Sequence, residues 1–284
     1  FPWLPRCTPA GAPAVYNLPR PCDMSDILPA QDRPLRVRKV HSLRTFIWLV
    51  RGWNDFMDAP MVGLTHGVLM GAFGGLLLML AWDRFWILAG AMSGFLMVAP
   101  ILSTGLYAVS RALLRGEPAG FEAVWAVWAS MDRRLVKFGM LLTALGTGWV
   151  MTSAALITLG VKPAVTTPTD FLLRVVMAPN PGFFEIWLLV GGVMAAPVFA
   201  SSVVAIPLLV DRQVSVPRAV LTSWRAVMAN PICMSTWAAI VMSLSLLGLC
   251  TMMFGLILVI PVLGHATWHA YRDLVVRETG REAV

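Results

Sequence analysis

The sequence has little charge, and over five long stretches it has none. Only 13% of its residues are charged whereas 58% are hydrophobic, a balance unlike that of water-soluble domains. A membrane-spanning helix needs about 20 apolar residues, and each stretch is at least this long. We therefore expect an integral membrane protein, because a soluble fold would have to bury such stretches on every face. The stretches are Met61–Trp82, Phe85–Ser110, Phe138–Val161, Ile186–Val210 and Ala226–Tyr271.

The sequence also lacks the patterns that enzymes and metal proteins usually carry. Its four cysteines include no C-x-x-C pair, so no zinc ribbon, thioredoxin-type motif or iron–sulfur cluster is indicated. It contains no G-x-S-x-G, phosphate-binding loop or H-E-x-x-H motif. No acidic or basic residue interrupts a predicted span, which argues against a proton- or ion-coupled pump. We therefore expect no enzymatic activity and no metal site.

The last uncharged stretch is too long for one helix, and it predicts two helices joined by a turn between Leu246 and Gly255. Of the 22 Lys and Arg residues, only Arg84, Lys162 and Arg174 lie in the loops of one side. The positive-inside rule therefore places both termini in the cytoplasm. The net charge of +7 indicates attraction to anionic lipid rather than to nucleic acid. The six predicted spans are 61–82, 86–110, 138–160, 186–210, 231–249 and 252–271.

The two ends of the chain differ from this apolar body. Residues 1–40 are rich in proline and arginine and have no hydrophobic period, so we expect them to lack fixed structure. The sequence at Met24 resembles a natural translation start, and residues 1–23 are expected not to be native. Residues 273–284 are expected to form a cytoplasmic tail.

A recurring tryptophan pattern predicts three parallel repeats, each with one amphipathic helix followed by two spans. Trp53 stands seven residues before Pro60, and Trp224 stands seven before Pro231. The amphipathic helices are expected to lie in the plane of the cytoplasmic membrane surface, with Trp53, Trp128 and Trp224 as interfacial anchors. Because each repeat has an even number of spans, the repeats share one orientation. The repeats comprise residues 41–110, 118–210 and 215–272.

The second span of each repeat contains a proline, and these are Pro100, Pro197 and Pro261. A proline within a helix frees a carbonyl group, so these positions are candidate hinges. The alternative, which we favour, is that they are fixed kinks that shape the bundle.

Two histidines near the end of the last span are the candidate ligand pair. His265 and His269 lie one helical turn apart on one face, a spacing that suits a haem or a metal ion. Histidine is also common at a membrane interface, and no third histidine lies near in sequence. Interfacial hydrogen bonding is therefore the favoured interpretation over cofactor binding.

Three segments resemble the DUF2189 family of bacterial integral membrane proteins of unknown function. They are Gly52–Phe56 with Ala59-Pro60, Ala99-Pro100 through Arg111, and Pro261–Leu274, and the resemblance extends from Arg38 to Val276. It implies a bacterial inner-membrane protein and carries over no functional residue.

The favoured function is a scaffold or an accessory or assembly subunit that binds lipid, a membrane partner or a second copy of itself. The alternatives are a passive transporter or channel for a small or lipidic solute and, with less support, a haem-binding protein associated with the respiratory chain.

Overall fold

The computed structural model describes residues 34–81, 102–162, 164–178 and 182–276. Within these ranges the chain is almost entirely helical, which confirms the predicted all-α class. A short π-helical turn, Leu172–Val176, directly follows α6. The helices are α1 (Arg44–Asp58), α2 (Pro60–Ala81), α3 (Thr104–Arg115), α4 (Phe121–Ala129), α5 (Arg133–Gly160), α6 (Pro168–Phe171), α7 (Phe183–Ser202), α8 (Ala205–Asp211), α9 (Val216–Ala229), α10 (Pro231–Cys250) and α11 (Leu256–Leu274).

Four helical stretches of the described residues are long and apolar enough to cross a membrane. They overlap the predicted spans 61–82, 138–160, 186–210 and 231–249, so the membrane class is confirmed. The predicted span 252–271 is helical, but the polar side chains in the second half of α11 lower its mean hydropathy. The predicted span 86–110 lies mostly outside the described residues, and only its end is seen, in α3. The four stretches are Pro60–Met79, Arg133–Gly160, Phe183–Asp211 and Pro231–Cys250.

Two corners of the fold have nearly the same geometry. Ala59 joins α1 to α2 with φ −131° and ψ 56°, and Asn230 joins α9 to α10 with φ −133° and ψ 54°. Pro60 and Pro231 then occupy the first position of the following helix, where a missing N–H breaks no helical hydrogen bond. The residue before a proline avoids the helical conformation, so each helix ends at the corner.

The predicted turn between the last two spans is present, and methionines rather than glycines adopt its left-handed backbone conformation. Positive φ angles occur at Met252 (52°) and Met253 (71°), not at Gly248 or Gly255. A Cβ atom on Gly255 would lie 2.9 Å from the Cα of Gly248. The glycines therefore permit close approach of the two helix ends rather than the reversal itself.

Two of the three candidate hinge prolines lie within described helices and do not end them. The helix α7 continues past Pro197 to Ser202, and α11 continues past Pro261 to Leu274, whereas Pro100 lies outside the described residues. The break comes instead at Val203–Val204, between α7 and α8. Val203 stands four residues before Pro207. In a continuous helix the ring of a proline would clash with the carbonyl group of the residue four positions earlier, so the helix breaks there.

The segment that precedes α1 corrects our expectation of a structureless region up to residue 40. Leu35 is buried and its N–H donates to the Thr222 hydroxyl at 2.9 Å. The N–H of Val40 donates to the Asn230 side-chain oxygen at 2.7 Å, and Val37 pairs with Val275 in an isolated antiparallel bridge. Residues 34–40 therefore tie α9 to the end of α11. Residues 1–33 lie outside the described residues, as does most of the predicted tail.

The helix α11 is the centre of the described fold, because α1, α2, α3 and α10 all pack against it. Close packing on α2 requires glycine: a Cβ atom on Gly67 would lie 2.1 Å from the carbonyl oxygen of Ile257. Small residues at such crossings let two helix backbones approach within dispersion range.

The amphipathic helix α1 exposes its apolar face as expected. On α1, Phe46, Val50 and Met57 are exposed, whereas Trp48 and Asp55 on the opposite face are buried against the rest of the protein. The amphipathic pattern alone did not predict that this second face would be buried. A helix with one face in the protein and an apolar face outside suits the surface of a membrane.

Candidate functional site: a buried acid–histidine cluster and a hydroxyl-lined cavity

Four polar side chains from α1, α3 and α11 form one hydrogen-bonded cluster, which we call the acid–histidine cluster. It consists of Asp55, Ser110, His265 and His269, all of them buried. The Ser110 hydroxyl lies 2.6 Å from Asp55 Oδ2 and 2.8 Å from His265 Nδ1. His269 Nε2 lies 2.9 Å from the same carboxylate oxygen. The carboxylate thus joins α1 to the central helix α11.

The direction of each hydrogen bond follows from the donors available. With Asp55 ionised, its Oδ2 accepts from the Ser110 hydroxyl and from the N–H at His269 Nε2. The Ser110 oxygen is then left to accept a proton from His265 Nδ1. This assignment leaves a lone pair on His265 Nε2, which is buried and has no hydrogen-bond partner among the described residues.

A third histidine lies near this cluster. On α2, His66 is buried, and its Nδ1–H donates to the carbonyl of Val62 at 2.9 Å. Its ring contacts Trp128, with 5.4 Å between the ring centroids. A Cβ atom on Gly105 would lie 2.7 Å from His66 Nε2, so only glycine fits there.

The order of groups in the acid–histidine cluster does not suit nucleophilic catalysis. An activated serine donates its proton to a histidine, which in turn is oriented by a carboxylate. Here Ser110 donates to the carboxylate of Asp55, and His265 donates to Ser110. The cluster is also enclosed by helices, so its clearest role is to hold α1 against α11.

His265 and His269, the predicted ligand pair, lie on the same face of α11. Two of the ring nitrogens, His265 Nδ1 and His269 Nε2, already bond to Ser110 and Asp55. Ligation of haem by either ring would require α11 to separate from its neighbours, because both side chains are buried. Within the described residues, no three His, Cys, Asp or Glu side chains are placed to hold a metal ion.

The predicted tryptophan anchors are partly exposed, and two of them also donate hydrogen bonds to hydroxyl groups of other helices. Trp128 Nε1 lies 3.3 Å from the Thr104 hydroxyl, and Trp224 Nε1 lies 2.9 Å from the Ser201 hydroxyl. Thr104 and Ser201 stand four residues after Pro100 and Pro197 respectively. The third anchor, Trp53, is 45% exposed, with its ring against Phe56.

A cavity of about 140 Å³ lies between α3, α7, α10 and α11, on the other side of α11 from Asp55. It is partly open to its surroundings. Apolar side chains form most of its wall, and no charged side chain is among the described residues that line it. Five hydroxyl groups interrupt the apolar wall: those of Ser103, Tyr107, Ser202, Ser245 and Thr267.

Sequence reasoning missed the partners of the histidines and the cavity. Asp55 stands 214 residues before His269 in the chain, so no local pattern connected the two side chains. The one available signal was a carboxylate on a helix whose neighbouring positions, Gly52 and Phe56, are small or apolar.

Comparison with known proteins gives a match to one family model but indicates no activity. No curated protein and no solved structure is significantly similar to the chain. The matching family model covers the second predicted span and the predicted second repeat, including α8. Of the three segments that carried the resemblance, it includes only Ala99–Arg111. Residues 87–211 match the model described as "Predicted integral membrane protein (DUF2189)", which confirms the resemblance inferred from the sequence.

Proposed function

We propose that this protein is a non-enzymatic scaffold or accessory subunit of the bacterial inner membrane that binds a small neutral, lipid-like molecule within its helix bundle. The observation that carries the proposal is the cavity between α3, α7, α10 and α11. Ligand sites are typically concave and mostly apolar, with a few polar groups that fix orientation. The cavity has this composition.

The size of the cavity suits part of a lipid-like molecule. An apolar cavity of about 150 Å³ is large enough for a six-carbon ring. From Trp237 to Ser245 the lining of α10 extends about 12 Å, at 1.5 Å per residue. A ring or a short chain segment fits inside, and the partial opening leaves room for the remainder of the molecule to continue outward.

The proposed frame is six spans in three parallel repeats with both termini in the cytoplasm. The matching corners at Ala59 and Asn230 support equivalence of the first and third repeats. The hydrogen bonds of Trp128 to Thr104 and of Trp224 to Ser201 support a common relation between an in-plane helix and the preceding span. In this frame the cavity lies among the second spans of all three repeats and the first span of the third.

The in-plane helices are proposed to rest on anionic lipid. Phe46, Val50 and Trp53 form an exposed apolar strip on α1, and Arg44 and Arg51 lie on the same helix. Apolar burial and attraction of arginine to anionic headgroups act together in such helices. This contact would leave the cavity for a separate ligand.

Passive transport of a small or lipidic solute is the second candidate, and the hydroxyl groups of the cavity wall favour it. A conducting path would need a polar lining that continues beyond the cavity to both membrane faces. Release of solute from proteoliposomes distinguishes the two functions: a carrier accelerates release, whereas a scaffold with a ligand site does not.

The test of ligand binding uses native mass spectrometry of the gently solubilised protein. We expect extra mass from a bound molecule, and we expect Ser245→Phe to lose it because the new ring fills the cavity. The adjacent Leu246→Phe is the matched control, since Leu246 is 57% exposed on the outer face of α10. Equal ligand occupancy in the two variants would contradict the proposal.

A further inference from the structure

Residues of the cavity wall include hydrogen-bond donors that have no acceptor among the described residues. Tyr107 lines the cavity and is only 3% exposed, and its hydroxyl makes no hydrogen bond to a described residue. A buried hydroxyl without a partner costs free energy, so native proteins nearly always supply one. The Tyr107 hydroxyl is therefore expected to bond to something that enters the cavity.

The indole of Trp237 adds a second such donor. Trp237 lines the cavity and is fully buried, and its Nε1 has no acceptor among the described residues. An indole N–H donates and cannot accept. Its ring is fixed by an edge-to-face contact with Trp48, with 5.6 Å between the ring centroids.

Some of the other hydroxyl groups of the cavity wall already donate hydrogen bonds within the protein. Thr267 donates to the carbonyl of Leu263 and Ser202 donates to that of Val198, both at 2.7 Å. Their protons are therefore already used within their own helices. Ser245 has no such bond to a described residue and adds a third possible donor.

We propose that the ligand of this cavity carries a carbonyl oxygen that accepts hydrogen bonds from Tyr107 and Trp237. The inference rests on the proposed function and specifies its ligand class. The absence of charged side chains from the described lining disfavours an anion or a cation, because a buried charge needs a partner. The ligand is thus neutral and mostly apolar, with a carbonyl group that either a quinone ring or an acyl ester of a glycerolipid would supply.

The test compares three probes that bind in detergent solution: a short-chain quinone, a short-chain diacylglycerol and an alkylbenzene without oxygen. Tyr107→Phe removes one hydroxyl and keeps the ring, so we expect roughly tenfold weaker binding of the carbonyl probe that fits, with no change for alkylbenzene. Tyr271→Phe is the matched control, because the Tyr271 hydroxyl donates to Asp211 at 2.7 Å and does not line the cavity. Tighter binding of the quinone would indicate a quinone ring as the natural source of the carbonyl, whereas tighter binding of the diacylglycerol would indicate an acyl ester.

A spectroscopic readout makes the result independent of affinity. With a ¹³C-labelled carbonyl probe, the hydrogen bond shifts the infrared carbonyl band to lower frequency, and Tyr107→Phe should reverse part of that shift. Trp237→Phe is the second variant and should reverse another part.

The possible failures are distinguishable. If Tyr107→Phe and Trp237→Phe leave both carbonyl affinity and the infrared band unchanged while Ser245→Phe still prevents binding, the carbonyl inference is wrong and the cavity proposal stands. If no probe binds, or if Ser245→Phe binds every probe like the wild type, the proposed function itself is overturned.

Discussion

Removal of the Asp55 carboxylate should destabilise the protein far more than removal of its neighbour Asp58. Both residues lie on α1, but Asp55 is buried whereas Asp58 is exposed. The change Asp55→Ala leaves the Ser110 hydroxyl and the His269 N–H buried without their acceptor. Each orphaned donor costs about 1–3 kcal/mol, so we expect a loss of about 3–5 kcal/mol in the free energy of unfolding.

The assay is reversible unfolding in mixed detergent micelles, followed by helical circular dichroism. We expect Asp58→Ala to change the free energy of unfolding by less than about 0.5 kcal/mol, as is usual for exposed positions. A double-mutant cycle between Asp55→Ala and His269→Ala should give a coupling of about 1–3 kcal/mol, because the two side chains share one hydrogen bond. Equal effects of Asp55→Ala and Asp58→Ala, with no coupling to His269, would refute the assigned role of the cluster.

Three further predictions concern other parts of the fold. Asn230→Ala should cost about 3 kcal/mol in the same assay, because its buried side chain bonds to the backbone of the segment before α1 and to α9. Gly67→Leu should cost about 3 kcal/mol or more through overlap with a carbonyl of α11, whereas Gly75→Leu, with open space around it, should be nearly neutral. Hydrogen bonds to its carboxylate lower the pKa of Asp170 to about 2, and the bond from the Thr166 hydroxyl has the largest effect. The stability that ionised Asp170 gives to its loop is therefore complete above the unfolded pKa of about 3.9 and lost as the pH falls through about 2, which carboxyl NMR of the labelled protein measures.

Each of these predictions has a contrary result. Retention of wild-type stability in Asn230→Ala would mean that residues 34–40 do not hold the fold together. Similar costs at Gly67 and Gly75 would contradict the close crossing of α2 and α11. An Asp170 carboxyl signal that titrates near pH 4 would show that its hydrogen bonds do not form.

The helices were predictable because they depend on local composition. The uncharged run that contains Pro231–Cys250 is long enough to cross a membrane whatever surrounds it, and the prolines at 60 and 231 mark helix starts by their own geometry. The amphipathic pattern of α1 likewise predicted its exposed apolar face. Each of these properties depends on residues that are neighbours in the sequence.

The candidate site was predictable only in part, because it depends on contacts between distant segments. The spacing of His265 and His269 placed them on one face, but Asp55 reaches them only through the packing of α1 on α11. The role of the Tyr107 hydroxyl could not be predicted from the sequence. Its surroundings depend on how four helices that are distant in sequence pack around the cavity. Long-range packing thus supplies what local pattern leaves open.

The central claim is that a lipid-like molecule occupies the cavity, and photocrosslinking tests it directly. The protein is labelled in native membranes with a neutral lipid analogue that carries a diazirine in its acyl chain, and the labelled residues are identified by peptide mass spectrometry. We predict labelling of Val241, which lines the cavity on α10, and its loss in Ser245→Phe. Labelling confined to outward residues such as Met242, which is 68% exposed, would contradict the claim.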